Sequence, residues 1–450
     1  MARLAVESGM PADELRAKVR RWVDDHVPQD WRRAAERGGA AAIRAVRSRA
    51  DYEGWYPVYG ASGLVAPTWP EEYGGLGLAP EEARVLDAEL APYNLGRLNP
   101  LGLNLAAPAL FAHGTEAQRL RYLPPIVRNE EVWCQLFSEP GAGSDLASLA
   151  TRAELGPDAE MWVVTGQKVW STWAHLADFG VLLARTDPDA PKRKGLTYFL
   201  IDLRQPGVTV RPLRHVTGEH DFNEVFLDRA EVPDDQRVGE VNRGWTVANA
   251  TLSGERQMVS GSGSGGVDRI GGSGADRVVA RAAERAAAGG PGGTGDPVVR
   301  QALAAVLAEE RVRGWTNRRV RAGLKAGRPP GPESSVGKVH QGELNQRIQL
   351  LAADLLGGGA TAWPAEARAS GGPGEARASG GPGDGHGAAG PADYGASLPY
   401  EVQGMLRSRA NTIEGGTTEV NKTIVAERVL GLPREPDPWR DAPWREVPRS

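Results

Sequence analysis

The spacing of apolar residues changes twice along the 450-residue chain, and this limits the fold more than any other feature. Up to about residue 128, apolar residues recur every three or four positions, as Leu15, Val19 and Trp22 do. That period predicts helices. Between residues 131 and 243 the period becomes two, which predicts strands, and from residue 244 the helical period returns. The chain should therefore hold a compact all-β domain between two helical regions.

Individual elements can be placed by the same pattern. Helices are predicted from Ala12 onward and at Ala83–Ala91, Leu103–Gly114, Glu116–Tyr122 and Val298–Ala326. The hydroxyl of Thr115 should cap the helix that follows it, because it can accept a backbone N–H of the first turn. Strands are predicted at Trp162–Trp170, Gly180–Arg185, Thr197–Asp202, Val208–Pro212 and Glu224–Leu227.

Glycine-rich segments interrupt the second helical region. They include Ser260–Gly274 and a Gly/Pro turn at Ala286–Gly295. In Glu366–Gly390 the sequence EARASGGPG occurs twice without change. Such a composition cannot bury enough apolar area to offset the entropy lost on ordering, so Glu366–Gly390 is predicted to be a disordered surface insertion.

Composition narrows the class of protein. A net charge of −4 argues against broad nucleic-acid binding, which usually requires a basic surface. Cys134 is the only cysteine, so no intrachain disulfide can form. The N-terminus lacks the pattern of a signal peptide, and no apolar run is long enough to span a bilayer. A cytoplasmic protein is therefore expected. The basic run Arg311–Arg328 suits a solvated helix face, or alternatively a phosphate or partner surface.

The stretch Trp133–His175 has two halves that suit a ligand site. The loop Ser138–Asp145, with the sequence SEPGAGSD, has the small residues that let a backbone approach a ligand closely. The second half is a strand that ends in Ser171-Thr172-Trp173, where hydroxyls lie between aromatic residues. Such a set suits the edge and face of a flat heterocycle. Each half taken alone is also compatible with an ordinary loop and a core tryptophan.

Taken in order, the chain's motifs resemble those of the acyl-CoA dehydrogenase family. They are TWPEEYGG, EPGAGSD, GQKVWST, LSGER and IEGGTTEVNKTIVAERVLGLP, and the resemblance runs from about Ala34 to Pro433. It implies an α+β multidomain fold with a helical N-terminal domain (1–130), a β-barrel-like middle domain (131–243) and a helical-bundle C-terminal domain (244–435, including the insertion). Residues 436–450 would form a tail.

The resemblance also implies an activity, the FAD-dependent α,β-dehydrogenation of an acyl-CoA thioester. That reaction needs a base for an α-proton and an acceptor for a β-hydride, and no side chain accepts hydride. The chain has no GxGxxG motif after a strand, which argues against a nicotinamide domain. Family positions that hold FAD correspond to Phe137, Ser138, Gly143, Ser144, Trp170, Ser171, Thr172, Thr417 and Glu419.

In the family a neighbouring subunit also clamps FAD, and the matching residues are Arg285, Asp354, Gly357 and Gly358. Two positions depart from the family pattern. Ala288 stands where an aromatic residue is expected, and Asp354 stands where many members have a neutral amide. At these two positions the predicted clamp differs from the family pattern.

The resemblance leaves two positions open for the catalytic base. In the commoner arrangement Glu directly precedes Gly-Thr of the near-terminal motif, but here that position is Gly415, and Glu414 comes one residue earlier. In the other arrangement Glu precedes an Arg on the helix after the β domain, which Glu255 and Arg256 match. Glu255 is predicted to be the base. Glu414, or no competent base, are the alternatives.

Substrate contacts are implied at Ser144, Arg256, Gly415 and Gly416. The backbone N–H of Gly415 would polarise the thioester carbonyl, on whose oxygen negative charge develops. His113, His175 and His215 lack metal-ligand spacing, so no metal site is expected.

Electrons would pass to an electron-transfer flavoprotein or a similar acceptor, and a homodimer or homotetramer is expected. Two alternatives remain: an oxygen-using acyl-CoA oxidase, and a non-catalytic, FAD-poor subunit that pairs with an active paralogue.

Overall fold

The computed structural model describes residues 3–259, 274–290, 292–326, 331–361 and 398–448. The chain divides into two compact units. The first comprises Met1–Pro212, Phe222–Gly254 and Trp439–Ser450, and the second comprises Leu213–Asp221 and Glu255–Pro438. The predicted insertion Glu366–Gly390 and nearly all of Ser260–Gly274 lie outside the described residues.

The first unit begins with helices whose apolar faces form its core. They are α1 (Ala12–His26), α2 (Gln29–Val46), α3 (Arg49–Ala61), α4 (Pro80–Leu90), α5 (Ala107–His113) and α6 (Glu116–Arg128). The predicted face of α1 is buried at Leu15, Val19, Trp22 and Val23. Thr115 caps α6 as predicted. Its hydroxyl accepts the Gln118 N–H at 3.2 Å, and the Gln118 side chain accepts the Thr115 N–H at 3.0 Å.

The glycines of TWPEEYGG permit a tight turn, as predicted. Gly74 has φ of +92°, in the left-handed region that glycine enters without strain. A Cβ on Gly75 would lie 2.0 Å from the carbonyl oxygen of Trp69, so only glycine fits there.

The middle of the chain forms an eight-stranded sheet. Its strands are β1 (Trp133–Leu136), β2 (Arg152–Leu155), β3 (Met161–Lys168), β4 (Phe179–Arg185), β5 (Leu196–Asp202), β6 (Val208–Leu213), β7 (Phe222–Pro233) and β8 (Arg237–Val238). The order is β6-β7-β3-β2-β4-β5-β8, and β1 pairs in parallel with β4. All five predicted strands are present, although β3 ends two residues early and β7 is much longer.

The short strands β1, β2 and β8 were not predicted. In β2 only Ala153 is buried, so the sequence carries no visible alternation there. In contrast, β4 and β5 are buried along nearly their whole length and carry a strong apolar signal.

Helices return after the sheet. They are α7 (Gly244–Val259), α8 (Ala275–Ala287), α9 (Pro297–Lys325), α10 (Glu333–Asp354), α11 (Tyr400–Ser408) and α12 (Thr418–Ile424). The long helix predicted at Val298–Ala326 is confirmed as α9. Among the described residues, no helix combines the length and apolar character needed to cross a lipid bilayer.

Candidate active site

The glycine-rich loop Ser138–Asp145 lies beside the end of β3. The N–H of Val169 donates to the carbonyl oxygen of Ser138 at 2.9 Å, so the two halves of Trp133–His175 are adjacent. We call Phe137–Asp145 together with Val169–Thr172 the loop cluster. It brings together the predicted flavin residues of the first unit, which are Phe137, Ser138, Gly143, Ser144, Trp170, Ser171 and Thr172.

A buried ion pair holds the start of this loop. The ammonium group of Lys168 lies 2.8 Å from Oε1 of Glu139, and their side chains are 0% and 8% exposed. Lys168 also donates to the carbonyl oxygens of Phe137 at 3.1 Å and Leu183 at 2.8 Å. Burial acts to raise the pKa of Glu139, but the charge and hydrogen bond of Lys168, together with hydrogen bonds from Thr151 and Ala150, outweigh it and lower that pKa.

Sequence reasoning missed this pair, although both residues lie in the motifs EPGAGSD and GQKVWST. A lysine in a strand usually faces solvent, and only the approach of β1 and β3 shows that this one does not.

Trp170 and Ser171 occupy a special turn after β3. Trp170 has φ of +61° and is 55% exposed, and its ring lies edge-on to Phe222 at 5.7 Å between centroids. Ser171 is buried, and its backbone exchanges hydrogen bonds with Asn223 at 3.0 and 3.1 Å. The ring of His175 lies 3.1 Å from the Asn223 amide oxygen, which fits its predicted structural role.

Two buried hydroxyls near the loop are suited to a polar ligand. Among the described residues, neither Ser171 Oγ nor Thr151 Oγ1 has a hydrogen-bond partner. A cavity of about 340 Å³ opens beside Thr151, lined by Glu139, Pro140, Gly141, Ser148, Ala150, Thr151, Gly166 and Gln167. Buried polar atoms are normally satisfied, so the exposed indole and the two hydroxyls fit a flat group with polar edges, as flavin is.

The packing around Gly143 does not by itself explain why this residue is a glycine. A Cβ built on it would meet no atom within 4 Å, and its φ is not in the left-handed region. Packing within this chain therefore does not demand glycine at this position. The expected close approach of a ligand to Gly143 stays a prediction.

In the second unit, the near-terminal motif turns through two glycines. Gly415 and Gly416 have φ of +64° and +85°, so a side chain at either position would strain the backbone. Asn421 Nδ2 donates to the carbonyl oxygens of Gly416 at 2.9 Å and Thr417 at 3.0 Å. Thr417 caps α12 by accepting the Val420 N–H at 3.1 Å. Helix α12 begins at Thr418 and continues through a π-helical turn to Val429.

The carboxylate of Glu414 is held by two donors. Arg407 Nη2 lies 2.9 Å from one oxygen, and Asn411 Nδ2 lies 3.0 Å from the other. The side chain of Glu414 is 28% exposed, so this is a partly buried ion pair. A carboxylate fixed in this way suits a structural role better than proton abstraction.

Lys338 lies among the candidate carboxylates of the second unit. It is 1% exposed, and its ammonium group donates to the carbonyl oxygen of Asn411 at 2.7 Å. Burial lowers the pKa of Lys338, and the negative charges of Glu414, Glu255 and Glu419 oppose that shift. The hydrogen bond of Lys338 to Asn411 joins α10 to the residues just before the near-terminal motif. Sequence reasoning missed it, because a lysine within a helix is usually on the surface.

Glu255 lies on α7, whose position is fixed by the glycine before it. A Cβ on Gly254 would lie 2.0 Å from the carbonyl oxygen of Asn104, so the LSGER motif needs glycine for close packing. The side chain of Glu255 is half-buried. The side chain of Arg256 lies outside the described part of the structure, and its predicted substrate contact stays a prediction.

Two of the residues predicted to clamp FAD, Arg285 and Gly357, lie close together. A Cβ on Gly357, where φ is +56°, would lie 3.3 Å from Nη2 of Arg285. Arg285 lies in the last turn of α8, and Asp354 is the last residue of α10. Gly357 and Gly358 follow in the 3-10 turn Gly357–Ala360. Their action on a neighbouring subunit's FAD stays a prediction.

One possible metal-binding group was missed. Atoms of His215, Glu219 and Asp221 lie within 4.8 Å of one another. Thr217 Oγ1 lies 2.9 Å from His215 Nδ1 and donates to Glu219 Oε2 at 3.0 Å. Contacts within one turn thus account for the grouping.

Comparisons with known proteins agree with this geometry. Sequence models of three domains match the chain: acyl-CoA dehydrogenase N-terminal domain at residues 11–130, middle domain at 134–230 and C-terminal domain at 242–379. Acyl-CoA dehydrogenase FadE34 of Mycobacterium tuberculosis is 38% identical over 374 residues, which is 83% of this chain but 45% of that protein. Acyl-CoA dehydrogenase IpdE1 of the same organism is 35% identical over 437 residues, covering 94% of this chain and 98% of the relative.

A solved structure extends the likeness to the fold. The ChsE4–ChsE5 complex from Mycobacterium tuberculosis has a chain 25% identical in sequence, with a TM-score of 0.65. The match covers 95% of this chain and 99% of the other.

Proposed function

The chain belongs to the acyl-CoA dehydrogenase family, and we propose that it dehydrogenates an acyl-CoA thioester with Glu255 as the base. The family depends on FAD, which accepts the β-hydride when bound. The loop cluster supports flavin binding, because it combines the exposed Trp170 indole with the buried Ser171 hydroxyl, which lacks a partner among the described residues. Arg285, Asp354, Gly357, Gly358, Thr417 and Glu419 are proposed as further FAD contacts.

The hydrogen bonds of Glu414 are the observation that favours Glu255 as the base. Both oxygens of Glu414 accept hydrogen bonds, one of them from a guanidinium, so taking a proton would break an ion pair. The position that directly precedes Gly416-Thr417 is a glycine in the left-handed region, where a glutamate would be strained. Glu255 is half-buried and lies near Lys338, whose positive charge favours the ionised carboxylate that a base requires.

The substrate carbonyl would be polarised by the N–H of Gly415. Negative charge grows on that oxygen as the α-proton leaves, and a fixed backbone donor stabilises it without reorganising. The left-handed backbone at Gly415 and Gly416, fixed by Asn421, sets the direction of this N–H. Ser144 and Arg256 are proposed to contact the acyl-CoA.

Two isosteric variants test the base. Glu255→Gln should slow flavin reduction at least ~100-fold while FAD stays bound, since general-base catalysis contributes about 10²–10⁴-fold. Glu414→Gln should slow it far less. The measurement is stopped-flow bleaching of flavin absorbance with a panel of straight, branched and ring-bearing acyl-CoA thioesters. A dead Glu414→Gln beside an active Glu255→Gln would reverse the assignment, and two active variants would point to another base.

A second candidate function is favoured by the ChsE4–ChsE5 likeness, since that structure is a complex of two named chains. This chain would then be an FAD-poor partner of an active paralogue. The absorption spectrum of the protein purified alone decides between them. Bound flavin that acyl-CoA bleaches supports a catalytic subunit, whose electrons would pass to an electron-transfer flavoprotein. Colourless protein that gains flavin only with a second dehydrogenase chain supports the partner role.

A further inference from the structure

We propose that Trp444, which six residues follow in the sequence, is a positioning residue that holds the glycine-rich loop in its ligand-binding conformation. The proposal rests on the proposed function, in which Gly143 and Ser144 of that loop contact FAD and acyl-CoA. It assigns a role to the C-terminal segment Trp439–Val447, which the sequence predicted only as a tail.

Trp444 is inserted into the surface of the β-sheet region of the first unit. It is 8% exposed, and its indole N–H donates to the carbonyl oxygen of Ser148 at 3.2 Å. The guanidinium carbon of Arg185 lies 4.6 Å from the centre of its ring. A cation that is stacked and desolvated in this way is held more strongly than one at the surface.

Arg185 connects Trp444 to the turn that follows the glycine-rich loop. Arg185 is 3% exposed, at the end of β4. It donates to the carbonyl oxygen of Ala147 at 2.6 Å and to that of Lys192 at 2.8 Å. Trp444 thus covers the arginine that fixes the 3-10 turn Leu146–Ser148, and it also bonds directly to the last residue of that turn.

The 3-10 turn Leu146–Ser148 also holds Asp145, which directly follows Ser144. Ser148 Oγ donates to Asp145 Oδ2 at 2.5 Å, and Lys192 Nζ lies 2.8 Å from the same oxygen. Ser144 therefore directly precedes a residue that two side chains hold in place. One of them belongs to Ser148, which follows the Ala147 carbonyl that Arg185 binds. The other belongs to Lys192, whose own carbonyl oxygen accepts from Arg185.

The tail is also attached through its backbone to the connection between β4 and β5. The N–H of Trp444 donates to Ala190 O at 2.9 Å, and that of Arg445 donates to Pro188 O at 3.1 Å. Arg445 pairs with Asp189 at 2.7 Å. The segment Trp439–Val447 thus contacts both the connection between β4 and β5, which contains Lys192, and the turn Leu146–Ser148 that follows the glycine-rich loop. Contacts to both are what a positioning element requires.

The test compares three variants of the full-length protein. Trp444→Ala should raise KM for acyl-CoA at least about tenfold while kcat changes less than about twofold, because a loosened loop weakens binding of ground state and transition state alike. Trp444→Phe keeps a ring over Arg185 and should recover most of the affinity. Trp439→Ala is the matched control, since Trp439 lies in the same tail with 43% exposure. It should leave KM unchanged.

Hydrogen exchange supplies a readout that does not depend on activity. Backbone amides of residues 138–149 should exchange at least about tenfold faster in Trp444→Ala than in wild type or Trp439→Ala. If wild type shows no acyl-CoA turnover, the proposed function fails and exchange still decides this proposal. If Trp444→Ala does not fold, Trp444→Leu serves in its place and should speed exchange in the same residues, because it keeps an apolar side chain but removes the indole N–H and the ring over Arg185. Unchanged exchange and KM in the folded variant, or equal effects from Trp439→Ala, would overturn the proposal.

Discussion

Replacing Lys168 by methionine should destabilise the β-sheet region by several kilocalories per mole. The substitution keeps a long side chain in a site that is fully buried but removes the ammonium group. Glu139 would then be left as a carboxylate that is only 8% exposed and has no cation beside it. Because its pKa is held below the usual range by this pair, Glu139 would be forced to take up a proton or lose its burial.

The magnitude follows from the contacts. Breaking a buried ion pair by removing one partner costs about 3–5 kcal/mol. Glu139 keeps its hydrogen bonds from the N–H groups of Ala150 at 2.7 Å and Thr151 at 2.9 Å, which favours the lower half of that range. The carbonyl oxygens of Phe137 and Leu183 also lose a donor, at about 1 kcal/mol each. We expect a total of about 5–6 kcal/mol for Lys168→Met.

A double-mutant cycle isolates the pair from other effects. Glu139→Gln alone leaves Lys168 buried without a counter-charge and should cost about 3 kcal/mol. Glu139→Gln combined with Lys168→Met removes both charges and should cost no more than Lys168→Met alone, which gives a coupling of about 3 kcal/mol. Urea unfolding followed by tryptophan fluorescence measures each free energy from the transition midpoint and slope.

Additive costs, within about 0.5 kcal/mol, would refute the argument, since residues that do not interact behave additively. Acid provides a second check. A carboxyl group with a lowered folded-state pKa adds stability above its unfolded pKa of about 4.3, and this is lost as pH falls through the lower folded value. The stability gap between wild type and Glu139→Gln should therefore shrink below about pH 5. A gap that stays constant down to pH 3 would contradict the assigned pKa direction.

Two further predictions concern the second unit and the insertion. Lys338→Met should slow flavin reduction by acyl-CoA at least about tenfold and shift its pH profile upward, because Glu255 loses a nearby positive charge that favours its ionised form. If the pH profile of flavin reduction did not shift, Lys338 would have no influence on the ionisation of the base. Deleting Glu366–Gly390 should leave folding, flavin content and turnover nearly unchanged, since loop length alters closure entropy only slowly. Loss of bound flavin in the deletion would show that the segment has a structural role.

The local order of the chain was largely determined by its sequence. The change of period located the helical and β regions, and Thr115 marked the start of α6 because a cap acts on the N–H groups of the next turn. The family motifs indicated the loop cluster, Glu255 and the near-terminal glycines. These are features of neighbouring residues or of short motifs, so they can be detected without knowing which distant segments meet.

Other features were decided only by tertiary structure. Lys168 lies 29 residues from Glu139, Lys338 lies 73 residues from Asn411, and Trp444 lies 296 residues from Ser148. Nothing in the local pattern separates these side chains from ordinary surface lysines or a tail tryptophan. Each becomes significant because chain packing removes it from water, and a buried charge or indole N–H must then find a partner from whatever distant segment the fold has brought beside it.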